Sequence, residues 1–368
     1  MPFCTNCGTR LPSDALFCPN CGRSRTTIAP ERPRVKRSHF KRNAAILVMA
    51  ILIGPLAIEV ITPISSNPYT AYPVYDQGTL RTFLRNQSRS APTGMGAFGL
   101  ENSSGSIRPY IISTDQVISE ARISAIGAHN SSLPPDFLFE ASLQLNVMLM
   151  VNTSTTTQAY WLQDVITFDT LQSLYLIHKD LAFNLTDRNS TNDAAGLGQV
   201  SKDDKGELVY TNNGGISSYS LPTSAILGIS VKKVYMNGVA AGFYFSSLGE
   251  PSYIFNSNNE FDNVSLMIPN ISSAAIVVTP YRLVLGYLSY DAEFAWGGPC
   301  CGYGTIFTKM NSSLSLWYVN ESSGQLSNFP AYFSFGADTG EFASNLSVSP
   351  DVAGVHVVTG HQDNRLVP

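Results

Sequence analysis

The chain has 368 residues, a mass of 39.9 kDa and a net charge of −4 at neutral pH. This length allows two domains or one large β domain, and it excludes a miniprotein that depends on disulfide bonds for its stability. Charged residues make up only 14% of the chain, against about a quarter in an average protein. Together with frequent glycine, proline and tyrosine, this composition predicts mainly β-structure.

The net charge is divided unevenly along the chain. Residues 1–43 contain nine Lys or Arg and two Asp or Glu, a net charge of +7, whereas residues 64–368 contain 14 and 24, a net charge of −10. We therefore expect a short basic module that is followed by a large acidic one.

Four of the six cysteines lie in the first 21 residues, in the sequences CTNC and CPNC. These are Cys4, Cys7, Cys18 and Cys21, two CxxC pairs that are separated by ten residues. Two such pairs predict a closed, tetrahedral and therefore structural Zn²⁺ site, since no ligand position remains for water. Residues 1–22 resemble the zinc-ribbon domains found at the N-termini of prokaryotic membrane proteins. Such a ribbon is more compatible with a cytoplasmic protein partner than with nucleic acid.

Residues 23–43 form a basic linker that lacks hydrophobic periodicity, and residues 44–64 are apolar except for Glu59. A helix of 21 residues is long enough to cross a lipid membrane. Basic residues before this segment outnumber those after it, which predicts a cytoplasmic N-terminus and an extracellular C-terminal domain. A cleaved signal peptide is the alternative interpretation of the segment.

Sequons for N-linked glycosylation are all found after the predicted membrane segment. There are 11 of them. They lie at Asn86, Asn102, Asn130, Asn152, Asn184, Asn189, Asn263, Asn270, Asn311, Asn320 and Asn345. Their absence from the first 64 residues agrees with an exported, glycosylated domain.

The clearest strand is Ser142–Leu149, in which Leu143, Leu145, Val147 and Leu149 alternate with polar residues or methionine. This period of two is typical of a half-buried strand. The turn-rich residues 152–157 predict a hairpin with Tyr160–Phe168.

Seven further runs indicate strands of an antiparallel β domain over residues 65–350, with a tail at 351–368. They are Ala225–Val231, Ala240–Phe245, Ala274–Val278, Tyr281–Tyr287, Thr305–Phe307, Leu314–Val319 and Ala331–Phe335. Residues 189–215 are rich in glycine, asparagine and aspartate, and are either a long loop or the seam between two β lobes.

Five separated phrases of this β domain resemble, in order and spacing, the thermopsin family of archaeal acid proteases. They are APTGMGAFGL (91–100), SLQLNVML (142–149), YWLQDV (160–165), SYDAEFAWGGP (289–299) and GADTGE (336–341). The resemblance implies a β-rich extracytoplasmic peptidase that works in acid on protein or peptide substrates. Asp164 departs from the family pattern, which has Asn more often at this position.

Carboxylates alone can hydrolyse a peptide bond when two of them share a proton, because the ionised one activates water and the protonated one polarises the carbonyl. The acids within or close to the five phrases are Asp164, Asp169, Asp291, Glu293, Asp338 and Glu341. Asp291 and Glu293 are two residues apart on a predicted strand and so share one face. Asp338 begins the triplet DTG, which pepsin-like proteases also use. We therefore predict Asp291, Glu293 and Asp338 as catalytic, without a catalytic metal.

Other catalytic schemes lack the required spacing of residues. His129, His178, His356 and His361 are scattered, and no HExxH, GxSxG or P-loop motif is present. The predicted function is thus an outward-facing, membrane-anchored acid endopeptidase with a cytoplasmic zinc ribbon. The alternative is a non-catalytic, glycosylated cell-surface protein that uses the same β fold for binding.

Overall fold

The computed structural model describes residues 92–361 and 366–367, except 104–105, 172–173, 191–193, 204–205, 235–237, 248–259, 281–289, 301 and 337–340. All of these residues belong to the second of two units into which the chain divides, Ile64–Pro368. The predicted zinc ribbon, basic linker and helix over residues 44–64 lie outside the described residues, as do Asp338 and the predicted strand Tyr281–Tyr287.

Two large antiparallel sheets account for most of the described chain. The larger has 11 strands in these residues: β1 (Thr93–Ala97), β4 (Ile112–Thr114), β6 (Glu140–Thr153), β7 (Thr157–Asp169), β8 (Tyr175–Asn184), β9 (Gln199–Lys202), β10 (Leu208–Ser218), β14 (Ile271–Val278), β15 (Ala292–Gly297), β18 (Tyr332–Phe335) and β22 (Leu366–Val367). The smaller has nine: β5 (Gln116–His129), β11 (Thr223–Val234), β12 (Gly238–Ser247), β13 (Glu260–Leu266), β16 (Thr305–Asn320), β17 (Gln325–Asn328), β19 (Ala343–Ser344), β20 (Leu346–Asp351) and β21 (Gly354–Thr359). A two-stranded ribbon consists of β2 (Leu100–Ser103) and β3 (Ser106–Pro109).

The order of strands places β15, β6 and β7 side by side within the larger sheet, which runs β22-β18-β1-β15-β6-β7-β8-β10-β9. The smaller sheet runs β13-β12-β11-β5-β16-β21-β20, and β19 makes its one parallel pairing, with β16. Antiparallel pairing of strands therefore dominates both sheets, and the mainly β-structure predicted from the composition is confirmed.

The two sheets pack face to face, with the main hydrophobic core between them. Leu143, Leu145 and Val147 of β6 contribute to this core, as do Leu227 and Ile229 of β11 in the other sheet. The indole Nε1 of Trp296 also donates a hydrogen bond across the interface to Ser312 Oγ, at 3.1 Å. This pairing of inner faces is the arrangement of a β-sandwich.

The hairpin of β6 and β7 confirms the pairing predicted from the sequence. The register joins Leu149 to Tyr160 and Ala141 to Phe168, as expected for Ser142–Leu149 against Tyr160–Phe168. The prediction that β6 is only half buried is wrong. Gln144, Asn146 and Met148 point away from the core between the sheets, yet all three are buried.

Residues 189–215, predicted as a long loop or a seam, and residues 351–368, predicted as a tail, contribute strands to the two sheets. The stretch 189–215 contains β9 and most of β10, which extend the larger sheet beyond β8. The chain after residue 350 contains β21, paired with β16, and β22, paired with β18. Both segments therefore continue the sandwich.

The predicted fold class is corrected in one component, the transmembrane helix. The described residues form strands and a single 3-10 turn at Pro135–Phe137. In this part of the chain no helix has the length and apolar character needed to span a membrane. The fold class that the structure supports is a mainly β domain.

Candidate active site

A row of three polar side chains crosses the outer face of the larger sheet, the face that points away from the core between the sheets. The register pairs Glu293 of β15 with Asn146 of β6, and Asn146 with Gln163 of β7. Side chains that are directly opposite on neighbouring strands lie on the same face, about 5 Å apart at Cβ. We call Glu293, Asn146 and Gln163 the polar row.

Hydrogen bonds connect the polar row from one end to the other. The amide Nδ2 of Asn146 donates to Glu293 Oε2 at 3.3 Å, and Gln163 Nε2 donates to Asn146 Oδ1 at 2.9 Å. Glu293 and Asn146 have no exposed surface, while Gln163 keeps 6% of its surface exposed. A carboxyl group is thus held in a buried site by an amide, where electrostatic interactions are stronger than in water.

A second pair of polar residues extends the array toward the end of β15. Gln163 Nε2 also donates to Gln144 Oε1 at 3.4 Å, and Gln144 Nε2 donates to Ser142 Oγ at 2.7 Å. The Ser142 hydroxyl in turn donates to the carbonyl oxygen of Gly298 at 2.5 Å. Because each member is fixed by the next, the amide of Asn146 has a defined orientation toward Glu293.

The chain matches two family models and a curated relative. The thermopsin family model matches residues 79–346. Thermopsin from Sulfolobus acidocaldarius is 32% identical over 319 residues, which cover 84% of this chain and 91% of that protein. The chain belongs to the thermopsin family. A zinc-ribbon domain model matches residues 3–24, where the four N-terminal cysteines lie.

One of the solved structures that match this chain does so with low similarity. The scytalido-glutamic peptidase, crystallised with a transition state analog inhibitor, covers 74% of this chain and 98% of its own, with 10% identity and a TM-score of 0.30. That score is too low to support a conclusion about a shared fold.

Of the three predicted catalytic acids of this thermopsin-family domain, the structure describes Glu293 and Asp291. Glu293 lies in the polar row. Asp291 is buried just before β15, and its carbonyl oxygen accepts a hydrogen bond from the Met148 amide at 3.3 Å. Asp338 is outside the described residues, so its catalytic role stays a prediction.

Asn146, Gln163 and Gln144 were not predicted from the sequence as site residues. Gln144 and Asn146 lie on the polar side of the strand predicted as half-buried, where solvated side chains are expected. The hairpin register itself offered a signal, because it places Asn146 opposite Gln163. The polar row could have been found by extending that register to Glu293 on β15.

Gly336 passes close to the carboxyl group of Glu293. A Cβ atom built on Gly336 would lie 2.6 Å from Glu293 Oε2, which is too close for any real contact. Gly336 also donates its backbone N–H to the Pro92 carbonyl at 3.0 Å, so its backbone is held in place. Only glycine leaves room for the carboxyl group here.

We expect Gly336→Ala to reduce peptidase activity about 10- to 100-fold, because a methyl group would displace the Glu293 carboxyl group by a large fraction of an ångström. The matched control is Gly215→Ala, since a Cβ atom on Gly215 meets nothing within 4 Å. The measurement is kcat/KM of both variants, with circular dichroism to verify the fold. Equal activity of the two variants would show that the position of the Glu293 carboxyl group is unimportant.

Proposed function

We propose that the β domain is an acid endopeptidase in which the carboxyl group of Glu293 transfers the protons of the reaction. The observation that carries this proposal is a fully buried glutamate, hydrogen-bonded by an amide, in a chain of the thermopsin family. Glu293 is one of the three acids predicted as catalytic, and in the described part of the chain it is hydrogen-bonded within the polar row.

In the proposed reaction the ionised Glu293 removes a proton from water, and the water oxygen forms a bond to the carbonyl carbon of the peptide. The tetrahedral intermediate then breaks its carbon–nitrogen bond. The protonated Glu293 gives its proton to the departing amine, so that the carboxyl group returns to its starting state.

The amide of Asn146 is suited to stabilise the negative oxygen of this intermediate. Its Nδ2 atom carries two hydrogens, and the structure directs one of them to Glu293. In the proposed reaction the second hydrogen is donated to the substrate oxygen, which gains charge as the reaction proceeds. Gln163 holds this amide in place through Asn146 Oδ1 and acts as a positioning residue.

A second carboxyl group is part of the proposal, since two carboxyl groups that share a proton provide both a base and an acid at low pH. Asp291 and Asp338 are the candidates for this role. Asp291 is buried two residues before Glu293. Asp338 follows Gly336, whose backbone passes over the Glu293 carboxyl group.

The N-terminal module is proposed to bind one structural Zn²⁺ through Cys4, Cys7, Cys18 and Cys21. Its match to a zinc-ribbon model and the spacing of the two CxxC pairs support this assignment. We further propose that the β domain works outside the cell, where the acidic module and its sequons would be exposed to an acid medium.

Cleavage of an unfolded protein substrate tests the proposed activity. We expect the full chain to cleave between about pH 2 and 5, with a bell-shaped dependence on pH that reports the acid and the base. A pepstatin-type inhibitor and a metal chelator serve as controls for the catalytic type. A well-folded chain that cleaves nothing in this range would favour the alternative, a non-catalytic binding protein.

A further inference from the structure

A second group of ionisable side chains lies in the core between the two sheets, on the face of β7 opposite to the polar row. Asp164 of β7 and His178 and Asp180 of β8 are all buried. His178 Nε2 is 2.6 Å from Asp164 Oδ1 and 3.3 Å from Asp180 Oδ1. One nitrogen and two oxygens therefore face a common point, and all three atoms lie within 4.8 Å of one another.

The remaining oxygens of both carboxylates are held by groups around this cluster. The backbone N–H of Gly228, in the opposite sheet, donates to Asp164 Oδ2 at 3.1 Å. Asn212 Nδ2 donates to Asp180 Oδ2 at 3.4 Å. These contacts turn the two Oδ1 atoms toward His178. Such outer contacts are what orient the ligands in metal sites.

Asp180 Oδ1 provides an independent observation that points to a ligand. This atom is buried in a side chain with no exposed surface, and within the described ranges it accepts no hydrogen bond, although His178 Nε2 lies at an ion-pair distance of 3.3 Å. A buried carboxylate oxygen without a donor is costly unless a cation or a proton satisfies it. The oxygen is directed at the point that His178 Nε2 and Asp164 Oδ1 also face.

The cluster contains two carboxyl groups and one basic side chain, His178. The ion pairs that Asp164 and Asp180 make in the described part of the chain are with His178 alone, and no lysine or arginine there reaches them. Burial raises the pKa of both Asp164 and Asp180 well above the ordinary value, and burial lowers the pKa of His178. Two ionised carboxylates in this core are stable only with positive charge close to them, from a protonated His178 or from a bound cation.

We propose that Asp164, His178 and Asp180 bind one divalent metal ion of the zinc type between the sheets. Two carboxylates and a neutral imidazole match both the charge and the donor preference of Zn²⁺. The bound ion would join β7 and β8, and through Gly228 it would connect them to the opposite sheet. Its role is structural, since the cluster lies on the other face of β7 from the polar row.

The distances allow this ion after a small movement. Zn²⁺ lies about 2.0–2.2 Å from nitrogen and oxygen ligands, so two tetrahedral ligands are about 3.3 Å apart. His178 Nε2 and Asp180 Oδ1 already have this separation, 3.3 Å. Asp164 Oδ1 lies 2.6 Å from the same nitrogen, and this separation would have to increase by about 0.7 Å.

The zinc content of the full chain at pH 7 tests the proposal. We expect two zinc ions per chain, one in the ribbon and one in the sandwich. Cys18→Ser should remove the first, because three thiolates hold the ion less well than four. Asp180→Asn should remove the second while keeping the size of the side chain. The matched control is Glu140→Gln, a buried carboxyl group on β6, which should leave two.

Cobalt binding distinguishes the two sites in chains that keep the Asp180 carboxylate. Co²⁺ in a site of four cysteines gives strong thiolate-to-metal absorption, whereas nitrogen and oxygen ligands give only weak visible bands. We therefore expect Cys18→Ser to bind one Co²⁺ without thiolate bands. This variant keeps the cluster intact, so the test does not depend on the folding of Asp180→Asn.

Thermal melting provides the last measurement. Added Zn²⁺ should raise the melting temperature of Cys18→Ser by several degrees at pH 7, and should have no effect at pH 3, where the ligands are protonated. Cys18→Ser protein that holds no zinc and does not respond to Zn²⁺ or Co²⁺ at pH 7 would overturn the proposal. The cluster would then be neutralised by protons alone.

Discussion

Replacing Glu293 by glutamine is expected to lower acid proteolysis about 10²- to 10⁴-fold, the range that a general acid or base contributes. Glutamine keeps the size of the side chain and an oxygen that can accept the hydrogen bond from Asn146 Nδ2. It cannot exchange a proton with water or with the departing amine. The loss should therefore appear in kcat at every pH between about 2 and 5.

The fold of Glu293→Gln should survive, because glutamine removes only an ionisable group from a buried position. A circular dichroism melt of the variant should match or exceed that of the parent. The matched control is Glu140→Gln on β6, which also removes a buried carboxyl group from the larger sheet. It is six residues from Asn146, about 20 Å along the strand, and should retain full activity.

Comparison with Asp291→Asn and Asp338→Asn identifies the second acid. In a pair that shares a proton, loss of the partner should remove one limb of the bell-shaped pH profile. Activity of Glu293→Gln within about twofold of the parent would exclude Glu293 as a catalytic residue. Activity unchanged in all three variants would leave the peptidase assignment in place but contradict this choice of residues.

Local sequence patterns were sufficient to predict the hairpin and most of the larger strands. The alternation of Leu143, Leu145 and Val147 with other residues defined both the face and the pairing of β6, because a two-residue period allows one register with the apolar side inward. Thr305–Phe307 and Leu314–Val319 were predicted as separate strands, and they are parts of a single strand, β16. The polar residues between them interrupt the apolar pattern but not the strand.

The burial of the outer face could not be predicted from the same pattern. Asn146 is buried because residues distant in sequence pack around that face, and Gly336 is an example. A local pattern distinguishes two faces of a strand, but it does not indicate what covers the second face. The same limit explains why the pattern predicts a half-buried strand although Gln144 is buried.

The sequence contains part of the evidence for the cluster of Asp164, His178 and Asp180 between the sheets. Asp164 has the same parity as Leu162 and Ile166, which belong to the core, so the predicted hairpin already implied a buried acid. His178 was set aside because it matched no catalytic motif. Its proximity to Asp164 depends on the pairing of β7 with β8, which the sequence did not indicate.

Leu145→Asp is expected to have the largest effect on the stability of the domain. Leu145 has no exposed surface and lies in the core between the sheets, opposite Asp164 on β7 and Phe294 on β15. An aspartate here loses the packing of leucine, buries a charge, and faces a second carboxyl group directly across the hairpin. The combined loss should be about 3–5 kcal/mol or more in the free energy of unfolding.

A leucine-to-aspartate substitution at an exposed position is the control. It shows how much stability is lost when aspartate is introduced without burial. Leu326 on β17 is 37% exposed, so Leu326→Asp should change the free energy of unfolding by under about 1 kcal/mol. Urea unfolding at pH 7, followed by circular dichroism, measures both variants. The deficit of Leu145→Asp should shrink at pH 3, because protonation removes the charge of the new side chain. If this variant melts within a degree or two of the parent, the hairpin register described here is wrong.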